Sequence, residues 1–187
     1  MGQVFCILIP IVMMTFVLPK VYADNRFSKY RKWTFWCIFL TYSLGNLCFT
    51  LLTRQPGTEF FTEFTPFRSY ARLYEPFYEG VNYPSSFVKA FLYNVPPFAS
   101  IILNILLYYL LGYLLPILFP KLKPKHVILI GCLCSIATEA TQYLLKMGWC
   151  ETDDVIHNTL GTAIGVWVWH LQSNRLNKPK SNELPKE

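Results

Sequence analysis

Charge is scarce in this chain. Asp, Glu, Lys and Arg make up 15% of its 187 residues against 53% hydrophobic, a balance that excludes an ordinary soluble domain. It has no recognisable Gly-rich phosphate loop, Ser-His-Asp arrangement or zinc motif, so those chemistries have nothing to rest on. No internal repeat is visible, which argues against a transporter assembled from inverted halves. The amino-terminal apolar stretch has no positive charge ahead of it and no small-residue cleavage site behind it. It opens Met-Gly-Gln and closes Pro19-Lys20, and it therefore reads as a span containing Pro10 rather than a secretory signal. Six cysteines do not form a disulfide framework: Cys6, Cys37, Cys48, Cys132 and Cys134 sit inside apolar runs, where they act as small hydrophobes. Cys132 and Cys134 point to different sides of a helix and make no metal pair, and Cys150 alone is extracytoplasmic.

What is present is long apolar runs, at about 4–18, 33–52, 98–119, 127–145 and 155–171. Each has roughly the length needed to cross about 30 Å of hydrocarbon. The fold class expected is all-α, a polytopic membrane helical bundle of about five transmembrane helices. The net charge of +6 follows the membrane rather than nucleic acid. Lys20, Arg26, Lys29, Arg31 and Lys32, then Lys121, Lys123 and Lys125, then Arg175, Lys178, Lys180 and Lys186 fall on one side; only Arg54, Arg68, Arg72, Lys89 and Lys146 fall on the other. The positive-inside rule puts the N-terminus outside and the C-terminus in the cytoplasm. Residues 1–172 read as a single membrane domain and 173–187 as a polar, disordered cytoplasmic tail.

Between the second and third runs lies an extracytoplasmic segment rich in Phe, Tyr and Pro. Phe67, Tyr70, Ala71, Tyr74, Phe77 and Tyr78 recur at helical spacing, with Arg68, Arg72, Glu75 and Glu79 on another face. This is the pattern of an amphipathic, interfacial helix, begun by Pro66 and kinked or ended by Pro76. It either caps the bundle or helps handle a lipid-like ligand.

Ionisable groups inside hydrocarbon cost roughly 2.5 to 3.5 kcal/mol on insertion scales, so each needs a reason. Glu139 is the clearest, on a helical stripe with Ser135, Gln142 and Tyr143. A short turn near 147–153 makes the fourth and fifth spans an antiparallel hairpin. With that turn centred near Cys150, Gln142 falls beside Asn158 and Glu139 beside Gly161. Asp154, Asn158, Gly161 and Gly165 share a face, and the two glycines form a small-xxx-small contact surface. Asn104 and Tyr108 lie a turn apart on the third span, with Gly112 a turn deeper, and Arg54 stands just outside the second. The polar groups either glue the helices together or form a site: Glu139 and Asp154 as catalytic candidates, and Arg54, Asn104, Gln142, Asp153 and Asn158 as ligand-binding ones. Three chemistries suit them: a Mg²⁺ or Ca²⁺ site of oxygen ligands, acid–base work by Glu139, and headgroup recognition by Arg54 with the amides. No metal site is assigned and no cofactor follows from the sequence. His157 lies off the Asp154 face and reads as an interfacial or packing residue.

Three strings carry a resemblance: Asn104 within ILNILLYYLLGYLLP, Ser135, Glu139 and Gln142 within SIATEATQYL, and ETDDVIHNTLGTAIG from Glu151 to Gly165. Together with Arg54 and the Pro66-Phe67 pair they resemble the VanZ-like family over roughly residues 40–170. Two departures are Leu110-Leu111 ahead of Gly112 and Lys146 where an arginine is common. The resemblance implies a multi-pass protein of the bacterial cell membrane and cell envelope, associated with resistance to the glycopeptide antibiotic teicoplanin. The partners expected are the bilayer and either a membrane lipid or an amphiphilic antibiotic, with no nucleic acid. An oligomer is compatible with the sequence. The function expected is binding of an amphiphilic antibiotic or lipid-linked envelope component in an outer-leaflet polar pocket. The alternative is a membrane-embedded hydrolase or transferase on such a lipid-linked substrate, with Glu139 as acid or base.

Overall fold

The computed structural model describes residues 2–24, 28–52, 56–57, 60–72 and 87–176, with side chains from residue 13 in the first helix and from residue 98 in the third. Among them five long helices carry the fold: α1 (Gly2–Ala23), α2 (Arg31–Leu47), α3 (Phe87–Leu118), α4 (Pro124–Leu145) and α5 (Thr152–Leu176). A π-helical turn, Cys48–Leu52, prolongs α2. Two three-residue strands, β1 (Phe61–Glu63) and β2 (Trp149–Glu151), pair in parallel with Phe61 opposite Trp149 and Glu63 opposite Glu151.

Local chemistry explains the ends of these elements. Pro124 occupies the first turn of α4, where its missing N–H costs nothing and its fixed φ suits the helix. At the other end Lys146 adopts a left-handed conformation (φ 51°), and its N–H returns to the carbonyls of Gln142 and Tyr143. Gly148 follows at φ 66° and turns the chain into β2. Helix α5 opens with Asp153 and Asp154 and closes with Arg175, each charge complementing the helix dipole.

Among the described residues three helical stretches are long and apolar enough to cross a membrane: Arg31–Leu51, Phe98–Leu118 and Pro124–Leu145. Helix α5 is more polar than these, and it turns Asn158 and Thr162 into the protein interior. It also continues to Leu176, past the expected boundary at Gln172. The expected interfacial helix is seen as a helical turn over 68–72. Residues 73–79 and the tail at 177–187 lie outside the described residues.

The most intimate pairing is that of α3 with α5. A Cβ built on Gly161 would stand 2.1 Å from the carbonyl oxygen of Ile105, one on Gly165 2.1 Å from that of Tyr109, and one on Gly112 2.0 Å from that of Thr162. Residue numbers rise together along this seam, so the two helices run parallel. Helix α4 runs antiparallel to α5, with Gly131 against the Thr162 side chain and Ser135 against Asn158. The core beside the seam is built from Phe35, Tyr113, Leu114 and Trp169, none more than 6% exposed, with Leu18 from α1. Lipid is as apolar as these side chains, so close packing rather than solvent exclusion holds membrane helices together.

The small-residue face of α5 is therefore real, but its partner differs from expectation. Gly161 receives the α3 backbone, not the Glu139 carboxylate, and Asn158 meets Ser135, not Gln142. The turn is centred on Lys146 and Met147 because the left-handed Lys146 ends α4 there. The following residues extend as β2 instead of lengthening a loop around Cys150.

Candidate functional site

The polar residues collect at the end of the bundle where α4 stops and α5 begins. Here the segment 60–72 is fastened across the first turn of α5. The Asp153 carboxylate accepts the N–H of Phe67 at 2.5 Å and that of Ser69 at 2.6 Å. Phe67 stands at φ 64°, a conformation a bulky side chain adopts only under constraint, and the Asp153 bond supplies that constraint. Burial alone pushes the Asp153 carboxyl up, but the Ser69 and Phe67 donors outweigh it and hold the group below the ordinary aspartate range. A second fastening is Arg72, which donates to Glu151 at 2.5 Å, lies 3.8 Å from Glu63, and stacks over the rings of Phe61 and Trp149. A third joins the Tyr70 hydroxyl to Nε2 of the buried His157 at 3.1 Å.

Between these fastenings and the middle of α3 lies a cavity of about 280 Å³ lined by Ser69, Arg72, Ser100, Ile101, Trp149, Glu151, Asp154 and His157. Asn104 donates its side-chain N–H to the Asp154 carboxylate and orients it. On the other side of Glu151 is a more open, apolar groove of about 400 Å³, lined by residues that include Phe64, Ile136, Tyr143 and Val155, with Glu139 at its wall.

The expected site residues divide accordingly. Asp154 lines the polar cavity and Asn104 supports it, while Asp153 fastens the cover. Glu139 lines the groove; its carboxylate accepts the Glu151 N–H at 2.9 Å, so it anchors the strand that separates the two spaces. Asn158 donates to Ser135 at 2.8 Å, and Gln142 donates to the Thr50 carbonyl at 3.0 Å, tying α4 to the end of α2. Glu139 and Asp154 thus line different spaces. Arg54 lies outside the described residues. Among the described residues no three His, Cys, Asp or Glu groups are placed to hold a metal ion. The Cys150 thiol is buried beside Glu139, and burial first, then that acid, pushes it up to about 11, so it stays protonated and unreactive.

Sequence reasoning missed Arg72, Trp149 and Glu151 as a working cluster and gave His157 an interfacial or packing role. The β1–β2 pairing that assembles them joins residues nearly ninety positions apart. The repeated charge at Arg68 and Arg72, and the acid three residues before Asp154, were the available signals.

The sequence strings that suggested a family lie where this geometry needs them: the α3 asparagine orients an α5 aspartate, and the α4 glutamate anchors the strand leading into α5. No curated protein and no solved structure matches the chain. A family model described as VanZ/LLP1 matches residues 33–173, from the first turn of α2 to the last turns of α5 and through every residue of the cavity. The chain therefore belongs to the VanZ/LLP1 family.

Proposed function

We propose that this protein is a five-span protein of the bacterial cell membrane which binds the polar head of an amphiphile in the cavity under the 60–72 cover. The family is linked to glycopeptide resistance in general. An amphiphile of the envelope, either a lipid-linked wall component or a lipid-tailed glycopeptide such as teicoplanin, is the ligand class that suits both the family and the site. The observation that carries the reading is a cavity into which three separate segments send Arg72, Glu151, Asp154, His157, Ser69 and Ser100. Convergent polar groups in a concave space, beside an aromatic wall, are what a headgroup site requires. The apolar groove across Glu151 offers the adjoining hydrocarbon chain a surface. The lysine and arginine distribution supports an outward-facing cavity.

Binding is favoured over lipid hydrolysis because Glu139 and Asp154 do not share a cavity, and Glu139 is already engaged in holding Glu151. Mass spectrometry of the full chain in native-lipid particles tests the reading. A specific envelope lipid should accompany wild type and be lost from Asp154→Asn, with Glu139→Gln retaining much of it. Identical lipid spectra for wild type and Asp154→Asn would remove the site. Turnover of the bound lipid that stops in Glu139→Gln would replace binding by catalysis.

A further inference from the structure

We infer that the opposite end of the bundle is a binding surface for the phosphate headgroups of anionic membrane lipids, independent of the polar cavity. The acids among the described residues are Asp24, Glu63, Glu139, Glu151, Asp153 and Asp154, and all but Asp24 belong to the cavity end. The described ion pairs, Arg68–Glu63, Arg72–Glu63 and Arg72–Glu151, are there as well. At the other end Lys20, Lys29, Lys32, Lys121, Lys123, Lys125 and Arg175 are all exposed. None of them has an ion pair among the described residues.

These groups form one surface rather than a scatter. The ring of Trp36 meets that of Phe119 edge-on, with centroids 5.6 Å apart, and Leu122 packs against the same core as Phe39. Those contacts hold the turn between α3 and α4 beside the first turns of α2. Lys29 and Lys32 are thereby brought alongside Lys121, Lys123 and Lys125. Both helices that start here, α2 after Tyr30 and α4 after Lys123, lack a side-chain cap and lack any acid in the first turn. Their N-terminal dipoles add to the positive field where proteins ordinarily place a balancing acid.

Arg31 adds a polar atom in need of a partner. Its guanidinium lies 5.0 Å from the Tyr22 ring centroid, and its Nε is buried with no hydrogen-bond partner among the described residues. A polybasic surface at a membrane boundary attracts anionic headgroups at about 1 kcal/mol per basic residue. The exposed Trp33 and Phe119 side chains suit the interfacial depth at which such a headgroup sits. The occupant is an anionic phospholipid, whose headgroup phosphate supplies the missing negative charge.

Native mass spectrometry of the full detergent-solubilised chain, titrated with dioleoylphosphatidylglycerol, dioleoylphosphatidylcholine or glycerol phosphate, distinguishes the sources. Phosphatidylglycerol should bind in preference to phosphatidylcholine, and glycerol phosphate should not compete. The Lys121→Gln, Lys123→Gln, Lys125→Gln triple variant should lose about fivefold in phosphatidylglycerol affinity per lysine, the ratio equivalent to about 1 kcal/mol. Lys146→Gln, at the cavity end, should lose nothing. These lysines are exposed, so the melting temperature without added lipid should stay at the wild-type value; if the triple variant misfolds, Lys123→Gln alone carries the test. Equal binding of the two lipids, or undiminished phosphatidylglycerol binding by the variants, would reduce the lysines to a topology signal and overturn the inference. Competition by glycerol phosphate would overturn it in favour of a soluble anion.

Discussion

The α3–α5 seam and the corner where β2 leads into α5 are both parts of one helix's environment, yet they are held by opposite means. Along the seam Gly112, Gly161 and Gly165 let backbone meet backbone, and what matters is the side chain that is absent. At the corner Asp153, Glu151 and Glu139 each meet a named donor, and what matters is charge placed against an N–H or a guanidinium. The seam should fail when volume is added, and the corner should fail when charge is removed. A helix that must be both centrally packed and polar at its first turns needs both devices.

The largest expected effect is on the seam. Gly161→Ala sets a methyl group 2.1 Å from the Ile105 carbonyl oxygen, where backbone rather than a flexible side chain must yield. Overpacking of this kind costs about 3 kcal/mol when neither helix can withdraw. The melting temperature of the detergent-solubilised chain should fall sharply. Gly45 in α2 is the matched control, because its Cβ would meet nothing within 4 Å. Gly45→Ala should be neutral or slightly stabilising, by the intrinsic preference of helices for Ala. If the two substitutions behave alike, close approach of α3 and α5 is not what those glycines provide.

The corner should respond next, and to pH as well as to substitution. Asp153→Asn keeps the shape but loses two charge-assisted bonds, and the loss is about 2 kcal/mol of docking for the 60–72 cover. Amide exchange at Phe67 and Ser69 should accelerate in the variant while α3 and α5 stay protected. Because the folded carboxyl titrates below its unfolded value, its contribution is fully present above the ordinary aspartate range, near pH 4, and disappears as pH falls through the lower folded value. Wild type should therefore loosen its cover below about pH 4, and Asp153→Asn should show no such transition. An unchanged exchange rate at Ser69 would remove Asp153 as the fastening.

How much of this was legible in the sequence follows the same division. The helices, the small-residue face of α5 and the inward stripe of Ser135, Glu139 and Gln142 follow from periodicity, which is local; Tyr143, expected on the same stripe, is instead exposed. The family strings were legible for the same reason, because each is a short run. Neither the identity of the helix that fills the glycine face nor the register of the hairpin was local. That register depends on one residue, Lys146, leaving the helical region and on β2 pairing with a strand far away in sequence. Arg72 was seen as one charge on an amphipathic face, but its carboxylate partners come from β1 and β2. The pairing of those strands has no signature in either three-residue segment.

The smallest effect tests the link between the two regions. Lys146 holds a left-handed conformation that costs a side-chain-bearing residue about 1 to 2 kcal/mol and costs glycine none. Glycine gives back about 0.5 to 1 kcal/mol through the greater freedom of its unfolded chain. Lys146→Gly should therefore be stabilising by up to about 1 kcal/mol, read as a modest rise in melting temperature, while Lys146→Val, with branching at Cβ, should be destabilising. The turn fixes which residue of α4 faces which residue of α5. A valine that forces Lys146's position back into the helix should also displace Ser135 from Asn158 and Glu139 from the Glu151 N–H, so that the α4–α5 packing beside the seam and the corner weaken together. If Lys146→Val lowers stability without faster exchange at Glu151, the two regions are held independently and the turn merely connects them.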